Sequence, residues 1–389
     1  MKRMQSNVVK KIFIIHFHPL EQYPPIMNLV NYLGVSGDTE VVVVTNRAIK
    51  RRNLNVFGNK SANIKIYRPA GDSDSPVKRY LNYILFYFSS LFLLLWHKPA
   101  VVFYFETLSS WPALIYKKLR GKKVSLMAHY HEYTSTLEYN TRMLLSKWMH
   151  AIELNMYPVF SWISQTNPVR MQKFIEDNHL GKLPATVFHI MPNYPPAAWG
   201  RDSTAKNMQP GWPKKLVYVG SLGYKNMYLK EVVEWMAHHK QDFTLDIYAY
   251  NINDEAKSFL KDNPLPNIQF CGGCNYDALP GLLKQYDIGL VIYKPFSENT
   301  IHAVSNKVFE YLACGLDVWF SSDMTFTLQY VKEDSYPKII PVDFNQLATF
   351  DYKKAIDRKG LPFIAGEYFC ENVYKEVTAH VRSGKNGTV

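Results

Sequence analysis

Short apolar runs alternate with amphipathic stretches along most of the chain. Seven runs in the first half read as strands, at 11–17, 40–45, 64–67, 100–105, 123–129, 159–164 and 186–190. VVVV and AVVFYF among them are continuous, as expected of strands covered on both faces of a parallel sheet. Helical stretches fall between them, around 25–34, 76–96, 109–120, 137–156 and 167–179. This alternation predicts a doubly wound α/β domain.

The rhythm stops at Pro192. Residues 191–215 hold five prolines (Pro192, Pro195, Pro196, Pro210 and Pro213) and read as an interdomain linker. Strands then resume at 216–219, 244–249, 268–270, 288–293 and 317–320. Helices resume at 227–239, 253–262, 276–285 and 306–314, and a last one covers 364–383. The expected fold class is α/β, with two Rossmann-like doubly wound parallel-sheet domains facing across a cleft. The first spans 1–191, the linker 192–214 and the second 215–363; residues 364–389 supply a C-terminal helix, packing back toward the first domain, and a tail. Sheets of this kind bind ligands beyond the carboxyl ends of their strands, so functional residues are expected just after strands.

Composition narrows the class. The chain has 389 residues, 47% hydrophobic and 15% aromatic, enough apolar surface to exclude disorder for most of its length. Its net charge of +12 is unevenly placed. Residues 1–195 carry 24 Lys+Arg against 11 Asp+Glu, and the remainder carries 21 against 22, so the excess lies wholly in the first half. That half is expected to meet something anionic, although a single cluster such as Lys50-Arg51-Arg52 reads more simply as a solvated face. The four cysteines all lie in the second half and suggest no disulfide framework. Cys271-Gly-Gly-Cys274 lacks two further ligands for zinc and reads as a strand end with a tight turn. The N-terminal apolar run is too short for a signal-peptide core, and a cytoplasmic location is expected.

One segment invites a membrane test. Tyr80–Trp96 is seventeen residues without a charge, bounded by Lys78-Arg79 and His97-Lys98. As a helix it rises about 25 Å, short of a hydrocarbon core of roughly 30 Å. The readings rank as a buried helix over the sheet, a helix partly sunk in one leaflet, then a true span.

Three sites follow strands. Gly220-Ser221-Leu222-Gly223-Tyr224-Lys225 ends a strand in two glycines and a lysine, a weak anion-binding pattern. Ser305 or Asn306 caps a helix carrying Lys307 in its first turn; a lysine there opposes the helix dipole unless an anion is present, which favours a diphosphate. Glu310, one turn on, is placed to accept from a ribose diol, and Gly315 closes the helix. In the first half, His129-Tyr-His131-Glu132 follows a strand, where a catalytic or sugar-binding role is preferred over a metal role. Asp72-Ser-Asp74 has the DxD form of some metal-dependent transferases but lies in a loop-like run and is discounted.

The segment NKVFEYLACGLDV, preceded by NIQFCGG and YDIGLVIYKPFSEN, resembles the carboxyl domain of GT-B glycosyltransferases, in particular the retaining nucleotide-sugar enzymes of family four. VYVGSL, MPNYP and HYHEY extend the likeness over nearly the whole chain. The resemblance implies that Glu310 holds the donor ribose, that Lys225 and Lys307 neutralise the diphosphate beside Gly220, Ser221, Ser305 and Asn306, and that His131 stands near the transferred sugar; the expected catalytic residues are His131, Glu132 and Glu310. The family's E-x7-E pair is altered: His302 stands eight residues before Glu310, and Glu298 is the nearest alternative acid.

These observations imply a metal-independent hexosyltransferase-type glycosyltransferase with no cofactor. Its substrates are a nucleotide diphosphate sugar and a saccharide or lipid-linked saccharide acceptor, used with retention in surface polysaccharide assembly. Its expected place is the inner face of the membrane, through peripheral contact with an anionic surface and with no nucleic-acid partner. The alternatives are a nucleotide-sugar epimerase of the same fold and a non-catalytic nucleotide-sugar-binding homologue.

Overall fold

The computed structural model describes residues 10–35, 39–48, 61–71, 75–141, 144–200 and 211–383. The chain divides into two compact units, Met1–Asn193 with Cys370–Val389, and Tyr194–Phe369. In the first unit, β1 (Lys10–His16), β2 (Thr39–Val44), β3 (Ile64–Tyr67), β4 (Val101–Phe105), β5 (Ser125–Tyr130), β6 (Trp162–Gln165) and β7 (Phe188–Ile190) form one parallel sheet in the order β3-β2-β1-β4-β5-β6-β7. Its helices are α1 (Pro24–Val35), α2 (Pro76–His97), α3 (Ser110–Arg120), α4 (Thr136–Thr141), α5 (Leu144–Leu154) and α6 (Pro168–Asp177).

In the second unit, β8 (Lys214–Val219), β9 (Phe243–Tyr248), β10 (Ile268–Gly272), β11 (Ile288–Val291), β12 (Asp317–Ser321) and β13 (Ile339–Val342) are also parallel, in the order β10-β9-β8-β11-β12-β13. Helices α7 (Leu229–His238), α8 (Asp254–Asp262), α9 (Leu279–Leu283), α10 (Glu298–Ile301), α11 (Asn306–Ala313) and α12 (Tyr352–Ile356) belong to it. The last helix, α13 (Cys370–Ser383), packs in the first unit against α1 and β1, and the Tyr374 hydroxyl donates to the Pro25 carbonyl at 2.8 Å. Both sheets are doubly wound, with the continuous apolar strands at their centres: Ile12–Ile15 and Val101–Phe105 are buried throughout.

In each sheet the strand order reverses once, between β1 and β4 and between β8 and β11. Such a reversal sends successive helices to opposite faces and leaves a crevice at the carboxyl ends of the two strands. In the second unit, β8 and β11 pair over only two residues, Leu216 with Ile288 and Val217 with Gly289. The buried ring of Tyr311 occupies the space beside them; a Cβ on Gly289 would lie 2.2 Å from that ring. The Tyr311 hydroxyl accepts the Val219 N–H at 3.1 Å, which ties α11 to the end of β8.

Three expectations change. The segment read as a linker is not all spacer: Tyr194 and Trp199 pack into the second unit's core, because two large aromatics among prolines lose too much by staying in water; residues 201–210 lie outside the described set. β13 was not expected; it is the last strand of the sheet, paired with β12 on one side and bridged at Ile339 to Lys332, an edge position where the missing N–H of Pro341 is tolerated. The reading of α2 as a buried helix holds for one face, with Tyr83, Phe86, Tyr87 and Leu94 in the core, while Tyr80, Ile84, Phe88, Phe92 and Trp96 are exposed on the other. Asp72-Ser-Asp74 and Lys50-Arg51-Arg52 lie outside the described residues. All four cysteines are free thiols, and Cys271 precedes Gly272, which ends β10 with a left-handed φ of 77°.

The contact between Gly289 and Tyr311 makes the first prediction. Gly289→Ala should lower unfolding stability by about 1–3 kcal/mol through overpacking, read as a reduced urea midpoint with an unchanged slope; a midpoint equal to wild type would refute the tight contact.

Candidate functional sites

The second unit builds its site at the reversal between β8 and β11. Ser305 caps α11, its Oγ accepting the Lys307 N–H at 3.3 Å. Glu310 is 2% exposed, and both of its oxygens are engaged: Oε1 accepts from Asn306 Nδ2 at 2.8 Å and Oε2 from Lys307 Nζ at 2.7 Å. Lys307 at the positive end of a helix is therefore balanced by a carboxylate of its own chain, a compensation that single positions in the sequence do not reveal. Each carboxylate oxygen retains acceptor capacity, so this pairing leaves Glu310 able to take a further donor such as a ribose hydroxyl.

Gly220, the residue after β8, completes this group. Its φ of 151° favours glycine, and a Cβ there would approach the Tyr218 hydroxyl at 3.3 Å and Lys307 Cε at 4.0 Å. Tyr218 donates to the Ser221 carbonyl at 2.6 Å and holds the turn. Tyr293, beside Tyr218, is hydrogen-bonded to Ser305, and burial raises both phenols, which stay protonated. Sequence reasoning missed these two tyrosines because each reads as one more aromatic in a strand.

Gly220, Ser305, Asn306, Lys307 and Glu310 thus come together, while the side chains of Lys225 and Ser221 contact other segments. Lys225 is exposed and forms an ion pair with Glu255 of α8 at 2.9 Å, which raises its pKa. Ser221 is exposed, its hydroxyl 3.5 Å from Asn251 Nδ2. Glu298 and His302 stand at the two ends of α10, joined by the His302 N–H to the Glu298 carbonyl at 3.0 Å.

The first unit presents a second group at the ends of β1, β4 and β5. His131 follows β5 and is buried. Its N–H donates to Glu106 Oε1 at 2.7 Å, and its carbonyl accepts from Arg170 Nη1 at 2.9 Å. Nδ1 lies 3.3 Å from Asn193 Oδ1 and 3.2 Å from His129 Nε2, while Nε2 makes no hydrogen bond. Burial, reinforced by the nearby Arg170 charge and opposed by Asn193, lowers its pKa to about 4. The ring is then neutral near pH 7, and with Nδ1 donating to Asn193 its Nε2 is an acceptor. Around it stand Phe105, stacked at 5.6 Å, and Tyr23, which also stacks on His18 and packs edge-on to His16. Glu132, expected beside His131, is exposed.

Glu106 and His16 were not anticipated. Glu106 follows β4 with φ 64°, a left-handed conformation uncommon for a side-chain-bearing residue, and its N–H donates to the His129 carbonyl at 3.0 Å. Burial first, and then the Glu132 charge, push its carboxyl up to about 8, so it keeps a proton at neutral pH. The only sequence signal is its position, an acid directly after the continuous apolar run of β4.

No family model matches the chain, and no curated protein matches it in sequence. Solved structures do match in fold. Sucrose-phosphate synthase from Thermosynechococcus elongatus superposes with a TM-score of 0.65 at 15% identity, covering 96% of this chain and 98% of that one. Anabaena HepE, solved with UDP and glucose, gives 0.63 at 11% identity, over 96% and 100%. A UDP-N-acetylglucosamine 2-epimerase gives 0.58 at 10%, over 96% and 97%. The two doubly wound units are those of the GT-B fold.

The raised Glu106 pKa makes stability depend on pH. A carboxyl whose folded pKa exceeds its unfolded value of 4.5 contributes stability that is full below pH 4.5 and is lost as pH rises through about 8. Glu106→Gln keeps the acceptor for the His131 N–H but cannot ionise. Its melting temperature should match wild type near pH 5 and exceed it near pH 8.5; parallel curves across that range would disprove the protonated carboxyl.

Proposed function

We propose that the protein is a retaining glycosyltransferase that moves a sugar from a nucleotide diphosphate donor to a saccharide acceptor carried on a lipid, in surface polysaccharide assembly at the inner face of a membrane. The observation that carries this reading is the group at the reversal between β8 and β11: a helix start capped by Ser305, Lys307 beside Gly220, and Glu310 one turn behind. In this reading the diphosphate lies against the first N–H groups of α11 and Lys307, and Glu310 accepts from the ribose. The bond from the sugar C1 to the diphosphate oxygen breaks as the acceptor hydroxyl oxygen bonds C1 and passes its proton to the departing diphosphate oxygen, and Lys307 with the helix N–H groups stabilises the remaining negative charge on the diphosphate without a metal ion. For His131 the proposed role is the one that the family resemblance implies, near the transferred sugar, and its Nε2 is a neutral acceptor.

Solved proteins of this fold bound to UDP and glucose, or to UDP-2-fluoro glucose, support a nucleotide-sugar ligand. The charge excess of the first half supports a membrane-held acceptor. A second reading, epimerisation of the free nucleotide sugar, is favoured by the epimerase of the same fold; turnover of a nucleotide sugar without any acceptor would select it.

UDP should raise the melting temperature of the wild-type protein by mass action. Lys307→Met should weaken that binding roughly tenfold to a hundredfold, the loss of a charge-assisted contact to phosphate, and Glu310→Gln should weaken UDP more than inorganic diphosphate. Transfer assayed in EDTA should proceed at the same rate. Full UDP affinity in both variants would refute the site.

A further inference from the structure

α2 presents two apolar faces. Phe86 and Leu94 on one are fully buried in the first unit's core, so the helix cannot leave its sheet to cross a bilayer, although by length and composition alone it could span one. On the other face Val77, Tyr80, Ile84, Phe88, Phe92 and Trp96 follow one another at three- and four-residue spacing, each more than half exposed. From Val77 to Trp96 this stripe is roughly 29 Å long. Beside its first half opens an apolar groove of about 210 Å³ between α2, α3 and α5, lined by Tyr83, Ile84, Tyr87, Trp111, Leu145 and Trp148.

The charges around this face are of one sign. From Ser75 to His131 the chain carries eight Lys+Arg and one acid, Glu106, whose burial keeps it protonated at neutral pH. Lys78 and Arg79 are exposed at one end of the stripe, and Lys98 at the other; Lys118, Lys122 and Lys123 are exposed at and just after the end of α3, which packs along α2. A long apolar stripe between two cationic ends, with Tyr and Trp at its margins, has the layout of a helix lying in the plane of an anionic leaflet.

We propose that the α2 face docks in one leaflet of an anionic phospholipid bilayer, with α2 in the membrane plane and one lipid acyl chain seated in the α2–α3–α5 groove. The groove also reaches the site described above. Tyr83 stacks on Phe17 with ring centroids 4.5 Å apart, Phe17 packs edge-on to His18 at 5.4 Å, and Tyr87 donates to the carbonyl of Leu108, two residues after Glu106. Docking would set the His16, His18 and His131 group at headgroup level, where a membrane-held acceptor meets it; that consequence, unlike the docking, rests on the glycosyl-transfer reading.

Flotation with vesicles tests the docking. The wild-type protein should float with phosphatidylcholine vesicles containing phosphatidylglycerol, and roughly tenfold less with phosphatidylcholine alone or at high salt. Leu85→Glu, at an exposed apolar position of α2, with Phe92→Glu should abolish flotation while leaving the UDP-induced melting shift unchanged, which also shows that the variant folds. Vesicles with brominated acyl chains should quench the wild-type tryptophan fluorescence, and Trp96→Phe with Trp148→Phe should remove most of that quenching. No capture by anionic vesicles, quenching indifferent to those tryptophans, or a sedimenting dimer that the two glutamates dissolve would overturn the proposal. Flotation without any UDP shift would sink the donor reading and leave the docking standing.

Discussion

The ring of Tyr311 lies where a side chain on Gly289 would otherwise project, and its hydroxyl takes the Val219 N–H. That one contact sets how closely α11 approaches the crevice between β8 and β11. Everything chemical in the second unit hangs from it: Ser305 at the cap, Lys307 and Asn306 in the first turn, and Glu310 one turn on. A larger residue at 289 would push the helix outward and move Lys307 away from Gly220. Packing in the core and placement of charge at the surface are here the same constraint, because interiors are too dense to absorb a methyl group without displacement.

The two units solve a similar problem with different chemistry. In the second, a buried carboxylate is matched by a lysine and an amide on its own helix, so Glu310 is held ready while it remains an acceptor. In the first, burial drives Glu106 to its protonated form and His131 to its neutral form, beside the buried Arg170 guanidinium that donates to the His131 carbonyl, which leaves two uncharged hydrogen-bonding groups after β4 and β5. A charged ligand suits the former, and hydroxyl groups that need both donors and acceptors suit the latter.

Much of the site was legible in the sequence, for a physical reason. Gly220, Ser305, Asn306, Lys307 and Glu310 are local: a strand end and one helix start carry them, and helical geometry brings 306 and 307 to 310 whatever the rest of the chain does. Lys225 and Ser221 lie on the segment after β8, and their side-chain partners, Glu255 and Asn251, come from elsewhere in the chain. Glu106 was invisible because nothing in an apolar strand ending in Glu announces a left-handed residue or a carboxyl deprived of water.

The sequence by itself determined the alternation of strands and helices, the doubly wound class, the one-sided charge and the helix start that carries Lys307 and Glu310, because hydrophobic period and capping are local properties of the chain. Tertiary structure decided which strands adjoin and hence where each sheet reverses. It decided that Tyr194 and Trp199 belong to a core and that only one face of α2 is covered. Those outcomes turn on which surfaces remain after all others have packed, a competition among distant segments that no window of sequence contains.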